Sequence, residues 1–169
     1  MALTNSSETP EIILKLSDLM RHVLYESREN FISVKKELNF LANFIELQKI
    51  RLSNAIDIQY SLQGNIPDRQ IMPLIFEPFI DNAFKHGLRQ QAPTPYIHVA
   101  VSFQSELMRF EICNNYMRPY PSVDFETSGV GLKNIEKRLE YLYLKSEYNY
   151  KVIQTEETFT IKLEVQLKK

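Results

Sequence analysis

The residues best suited to chemistry lie in one stretch, Pro73 to Gly87, reading P-L-I-F-E-P-F-I-D-N-A-F-K-H-G. Asn82 and His86 are four apart, so a helix here projects both from one side, with Lys85 beside them. Asp81 and Glu77 have the same spacing on an adjoining strip. An amide, an ammonium and an imidazole along one edge of an otherwise apolar helix can form the wall of a site for a metal-bound polyphosphate. The same pattern equally describes a core helix whose polar residues are only its solvent face. Pro73 suits a first helical turn and Gly87 a stop. Pro78 inside predicts a bend, because it removes one backbone bond.

A second stretch, Ser128-Gly-Val-Gly-Leu-Lys-Asn, opens a helix straight after a long loop. Glycines there let backbone amides approach an anion, and a helix N-terminus favours negative charge. Two such glycines more often just serve a tight turn, so the pair counts only together with the Asn82 helix. Lys133 and Arg138 add positive charge on the same helix, or a plain solvated face.

Elements of both periods surround these stretches. Residues 1–8 are polar and expected to be loose. Thr9-Pro10-Glu11 is a helix start, with a capping hydroxyl, a proline and an acid against the positive dipole end. Ile12, Leu16, Leu19, Met20 and Val23 carry that helix to about Tyr25. The spacing of Val34, Leu38, Leu41, Ile45, Gln48 and Leu52 predicts a second, bundle-type helix. From Ala55 the period becomes two: Ile56, Ile58, Tyr60 and Leu62 read as a strand ended by Gly64-Asn65. Beyond a proline-containing loop over 88–95, Ile97 to Phe103 and Met108 to Ile112 read as a hairpin around Ser105-Glu106. Residues 114–128 lack periodicity, as a functional lid would. Leu132, Ile135, Leu139 and Leu142 give a last helix; a short strand near Val152 and a longer one over Phe159–Leu167 follow. This order predicts an α+β sandwich, a mixed sheet with helices on one face, preceded by bundle-type helices.

Composition narrows the classes. The chain has 169 residues, 44% hydrophobic and 24% charged, which suits one sizeable core, or one domain with an appendage. A net charge of −1 argues against general nucleic-acid affinity. The single Cys113 excludes an internal disulfide and a cysteine-based zinc site, and its strand context predicts a packed core thiol. No apolar run approaches the roughly 18 to 20 residues that cross a bilayer, so a soluble cytoplasmic piece is expected, with any membrane segment outside it.

These motifs carry a resemblance. P-L-I-F-E-P-F-I-D-N-A-F-K-H-G resembles the N box of sensor histidine kinases of the LytS type. S-G-V-G-L-K-N-I-E-K-R-L-E-Y-L-Y resembles their second glycine box, and L-M-R-H-V-L with K-K-E-L-N-F-L-A-N-F-I-E-L-Q-K-I-R-L the segment leading into their ATP-binding domain. The match covers about residues 10–145 in the right order. It implies a Bergerat-type ATP fold, as in gyrase, Hsp90 and MutL, with a helical segment over 1–54 and an ATP-binding catalytic domain over 55–169. It implies ATP and Mg²⁺ as cofactors, with Asn82 as the magnesium ligand and Lys85 and His86 facing the phosphates. Gly129, Gly131 and Leu132 would shape the end of the ATP lid. Asp81 or Glu77 would polarise an acceptor imidazole, unless they are surface residues only.

The departures from the pattern also carry expectations. The first glycine box reads Ile112-Cys113-Asn114-Asn115-Tyr116, so Asn114 stands at the adenine-binding Asp position and accepts without charge assistance. Pro78 stands where superfamily ATPases carry a water-activating Glu, which disfavours hydrolysis. No phosphoacceptor H-F-x-x-N segment is present; His22 reads as a bundle-face residue and His98 as structural. The implied function is transfer of the ATP γ-phosphoryl to a histidine outside the chain, for relay to a response regulator, with a homodimer in the full-length, membrane-anchored protein. The rival is a degenerate interaction module of the same fold.

Overall fold

A computed structural model of the protein describes residues 9–52, 56–87, 95–115 and 130–169. Helix α1 (Thr9–Tyr25) leads through a 3-10 turn at Glu26–Arg28 to strand β1 (Ile32–Ser33) and helix α2 (Val34–Leu52). Then follow β2 (Asp57–Gln63), β3 (Gln70–Ile71), α3 (Glu77–Gly87), β4 (Tyr96–Gln104), β5 (Leu107–Asn115), α4 (Val130–Leu142), β6 (Tyr148–Gln154) and β7 (Thr158–Gln166). Residues 1–8, 53–55, 88–94 and 116–129 lie outside the described residues, and with them most of the lid expected over 114–128, whose first two residues, Asn114 and Asn115, instead end β5.

The main sheet has the order β2-β4-β5-β7-β6. Only β2 and β4 pair in parallel, which makes the sheet mixed. That parallel pair needs a crossover, and α3 supplies it. Strands alternate cleanly. Ile97, Val99 and Val101 of β4, Met108, Phe110 and Ile112 of β5, and Ile161, Leu163 and Val165 of β7 all turn toward the helices and are buried. On the other face, directly opposed residues form ion pairs: Arg109 with Glu164 at 2.7 Å and Lys162 with Glu111 at 2.8 Å. One face is therefore apolar and helix-covered, the other charged. This is the expected α+β sandwich.

Helix α2 shares the core. Its Val34, Leu38, Leu41 and Ile45 join the same buried cluster as the sheet, α3 and α4, so packing runs continuously across residue 54. A small pair, β1 with β3, was not foreseen; it is joined to the C-terminus by a bridge from Gln70 to Lys168.

Three expectations are corrected. Helix α3 begins at Glu77, so Pro73 precedes it, and Pro78 lies in its first turn. There its missing N–H leaves no intrahelical bond unmade, and no bend is needed. Cys113 is half-buried on the sheet's outer face, with Thr160 Oγ1 at 3.2 Å from its sulfur, because the inward positions of β5 are the even-numbered ones. In α1 the line facing α2 contains Leu19 and His22, both buried, whereas Leu16, Met20 and Val23 are exposed.

Phe110 is the centre of the contact between α3 and the sheet, with ring centroids 4.9 Å from Phe76 and 5.8 Å from Phe79. Its replacement by Ala leaves a cavity that the surrounding rings cannot close. Phe110→Ala is expected to cost about 3–5 kcal/mol in urea denaturation. A loss below about 1 kcal/mol would show that the contact is not a centre of packing.

Candidate nucleotide site

Helix α3 buries Phe79, Ile80, Ala83 and Phe84 against the sheet and α2, and Phe84 meets Phe44 edge-on at 6.2 Å. With that face committed, Glu77, Asp81, Asn82 and Lys85 are left on the outer side. Asn82 is half-buried, and its amide makes no hydrogen bond to another described residue. Lys85 is exposed, with its Nζ 2.6 Å from Asp81. The expected cation beside Asn82 is thus paired with a carboxylate one turn earlier. His86 lies in the last turn.

Helix α4 packs against α3 on the same face of the sheet. Gly131 lies in its first turn, and open space surrounds the position where a side chain would begin. Leu132 is partly buried against the core. Lys133 is exposed. Arg138 is half-buried, and its Nη2 donates to the Pro73 carbonyl at 2.8 Å, which ties α4 to the turn ahead of α3. Tyr143 ties it from the other side, accepting from the Met72 N–H at 3.0 Å, and burial holds its phenol protonated well above the usual tyrosine range.

Asn114 ends the inward line of β5 and is only 1% exposed. Its Nδ2 donates to the Asn115 carbonyl at 2.6 Å. A carbonyl accepts only from the amide nitrogen, so this bond leaves the side-chain oxygen Oδ1 as the remaining acceptor. Asn115 in turn accepts from the Tyr96 N–H. Asn114 is therefore a neutral, buried amide at the last inward position of the central strand.

Two residues escaped functional notice in the sequence. Glu37 is fully buried; its Oε1 accepts from the Ile75 N–H and its Oε2 from the Leu74 N–H, each at 3.0 Å. His22 is 7% exposed, stacks on Phe40 at 4.5 Å and brings its Nε2 within 2.9 Å of the same Oε2. The available signal was that Glu37 follows Val34 by three and precedes Leu41 by four, on the apolar line of α2. His98, by contrast, is a partly exposed surface group 3.5 Å from Asp57.

Glu77 has its carboxyl pushed up, first by burial and then by Asp81, with Lys85 and Arg138 acting in the opposite direction. A carboxyl raised in the fold binds its proton more tightly than in the unfolded chain. Its contribution is present at acid pH and is lost as pH rises through the raised value. The Tm of Glu77→Gln relative to wild type is expected to rise between pH 4 and pH 7; a pH-independent difference would contradict this.

The chain resembles known proteins in three ways. A family model described as Histidine kinase matches residues 1–56. Sensor protein LytS of Staphylococcus epidermidis is 27% identical over 149 residues, covering 82% of this chain and 25% of the relative. Sensor histidine kinase BtsS of Escherichia coli is 22% identical over 135 residues, covering 80% and 24%. The chain thus spans about a quarter of the length of the curated relatives it matches. Among solved structures, full-length ShkA in complex with AMPPNP superposes with a TM-score of 0.60 at 14% identity, over 94% of this chain and 35% of that one. The catalytic domain of histidine kinase ThkA superposes at 0.55 and 12% identity, over 80% and 94%. By sequence the chain is similar to LytS-type sensor histidine kinases, and its fold is similar to that of histidine kinase catalytic domains.

Proposed function

We propose that this chain is the ATP-binding catalytic part of a two-component sensor histidine kinase. It transfers the γ-phosphoryl of ATP to a histidine on a segment outside the sequence, for relay to a response regulator. The observation that carries this reading is the Asn82 amide on α3, half-buried and without a hydrogen-bond partner among the described residues, on a helix that packs against α4.

The donor set suits a hard ion. Among the described residues no cluster of three or more His, Cys, Asp or Glu could hold a metal. Mg²⁺ tolerates this, because it keeps several waters and takes phosphate oxygens, needing one protein oxygen such as Asn82 Oδ1. When bound, the ion supplies charge neutralisation at the phosphates. At the other end, Asn114 Oδ1 accepts from the adenine amino group, its orientation held by the Asn115 carbonyl. Gly131 and Leu132 would border the phosphates, and Lys85 would reach them by releasing Asp81; Gly129 lies outside the described residues, and it and His86 keep only the phosphate-facing roles that the resemblance implies. With its partner gone, Asp81 is free to polarise the incoming imidazole. Pro78 offers no carboxylate to activate water, so transfer is favoured over hydrolysis.

Residues 1–54 correspond in this reading to the end of the dimerisation and phosphoacceptor region, and 55–169 to the ATP-binding domain. Helix α1 leaves Ile13, Leu16, Met20 and Val23 exposed in steps of three, four and three, the seam of a bundle helix. It suits the phosphoacceptor helices of the full-length protein and its homodimer. No helix among the described residues is long and apolar enough to cross a membrane. The reading puts the anchor upstream and this part on the cytoplasmic side.

Calorimetric titration with Mg²⁺ and a non-hydrolysable ATP analogue tests the reading. Saturable binding is expected, weakened about tenfold or more by Asn82→Ala, equivalent to about 1.4 kcal/mol. Asn114→Leu, which removes the adenine acceptor while filling its space, is expected to weaken ATP and ADP alike by a similar factor. No saturable binding by the unmodified chain at millimolar nucleotide would overturn the assignment.

A further inference from the structure

The Glu37 carboxylate belongs to none of the nucleotide-facing groups, yet it holds the backbone from which α3 departs. Leu74 has a φ of 53°, a left-handed conformation that a leucine adopts only under constraint. That conformation turns the consecutive N–H groups of Leu74 and Ile75 toward one buried carboxylate, one to each oxygen. No shorter acid reaches, and a neutral amide cannot serve both, since its NH₂ would face an N–H. The second lone pair of Oε2 is taken by His22 of α1. One carboxylate thus joins three elements: α1 through the imidazole, α2 through its own backbone, and the turn ahead of α3 through two amides.

We propose that Glu37 is a positioning residue for the nucleotide site, and that His22 makes its grip on α3 depend on how α1 lies against α2. The proposal rests on the reading of α3 as the nucleotide-binding helix. Helix α3 is only 11 residues long, and Asn82 follows Ile75 by about two turns, so rotating the turn at 74–75 displaces the Asn82 amide with it. The ring of His22 lies on Phe40, which keeps the imidazole edge on the carboxylate while α1 and α2 remain packed. Separation of the two helices removes that donor and loosens the carboxylate. A movement in the helical segment thereby reaches the site without either helix touching nucleotide.

The test pairs two readouts on the full chain. The first is hydrogen exchange at the Leu74 and Ile75 amides; the second is affinity for Mg²⁺ with AMPPNP, measured well below the Tm. Glu37→Gln is expected to speed exchange at those amides and to weaken nucleotide binding roughly fivefold or more. His22→Phe keeps the stack on Phe40 and removes only the Nε2 contact, so it tests the coupling even if Glu37→Gln fails to fold. It is expected to move both readouts in the same direction by less, and His22→Gln, which restores a donor, to recover part of each. The double variant is expected to be no worse than Glu37→Gln alone. A lowered Tm with unchanged affinity in His22→Phe would overturn the coupling to α1, and the same outcome in Glu37→Gln would overturn the positioning role and leave Glu37 a purely structural group. Failure of the unmodified chain to bind nucleotide would overturn both readings, and it is distinguishable because no variant is involved.

Discussion

The seating of α3 on β5 is the contact on which everything else in this molecule depends. Phe76 and Phe79 lie against Phe110, and Ile80, Ala83 and Phe84 continue the buried face. Burial of that face decides which residues are left outside. Asn82 is left half-buried at the edge of that face, beside Phe79 and Ala83, which are committed to the core. The same helix is the crossover between the parallel strands β2 and β4, so its position is set by chain connectivity as well as by packing.

A short helix carrying a functional side chain needs its ends held. At the start of α3 the structure uses polar groups drawn from α2, from α4 and from the residue that follows α4. Glu37 takes the amides of Leu74 and Ile75, Arg138 takes the carbonyl of Pro73, and Tyr143 takes the amide of Met72. Each is buried or half-buried, and each satisfies a backbone group that would otherwise be desolvated without a partner. The turn at Leu74 is therefore over-determined, which is the condition for a leucine to remain at positive φ.

Much of this was legible in the sequence. Helix α2 reads over its full length because steps of four and three run from Val34 to Leu52 with Gln48 the one polar residue among them, and the β4–β5 hairpin because alternation is strict on both sides of Ser105-Glu106. Asn82 stands out from its helical spacing, whereas the role of Asn114 comes only from the resemblance, and both site roles are proposals. The misreadings share one cause: local pattern was weighed without tertiary context. Pro78 looked interior because Pro73 was taken as the helix start, whereas the chain uses 73–76 as a turn braced from α2 and α4. Cys113 followed a run of apolar residues, although the alternation of Met108, Phe110 and Ile112 already assigned it to the opposite face. His22 and Glu37 were invisible as a pair because they are 15 positions apart and meet only when α1 folds back on α2.

In the proposed site the outer edge of α3 and the inward end of β5 share one ligand. Backbone amide shifts of the ¹⁵N-labelled chain, followed through a titration with Mg²⁺ and AMPPNP, report on both at once. Saturable changes are expected at residues 74–87, 112–115 and 131–135, with the charged outer face of the sheet silent. Saturable changes confined to that outer face or to the α1–α2 contact, with Asn82 and Asn114 unmoved, would contradict it.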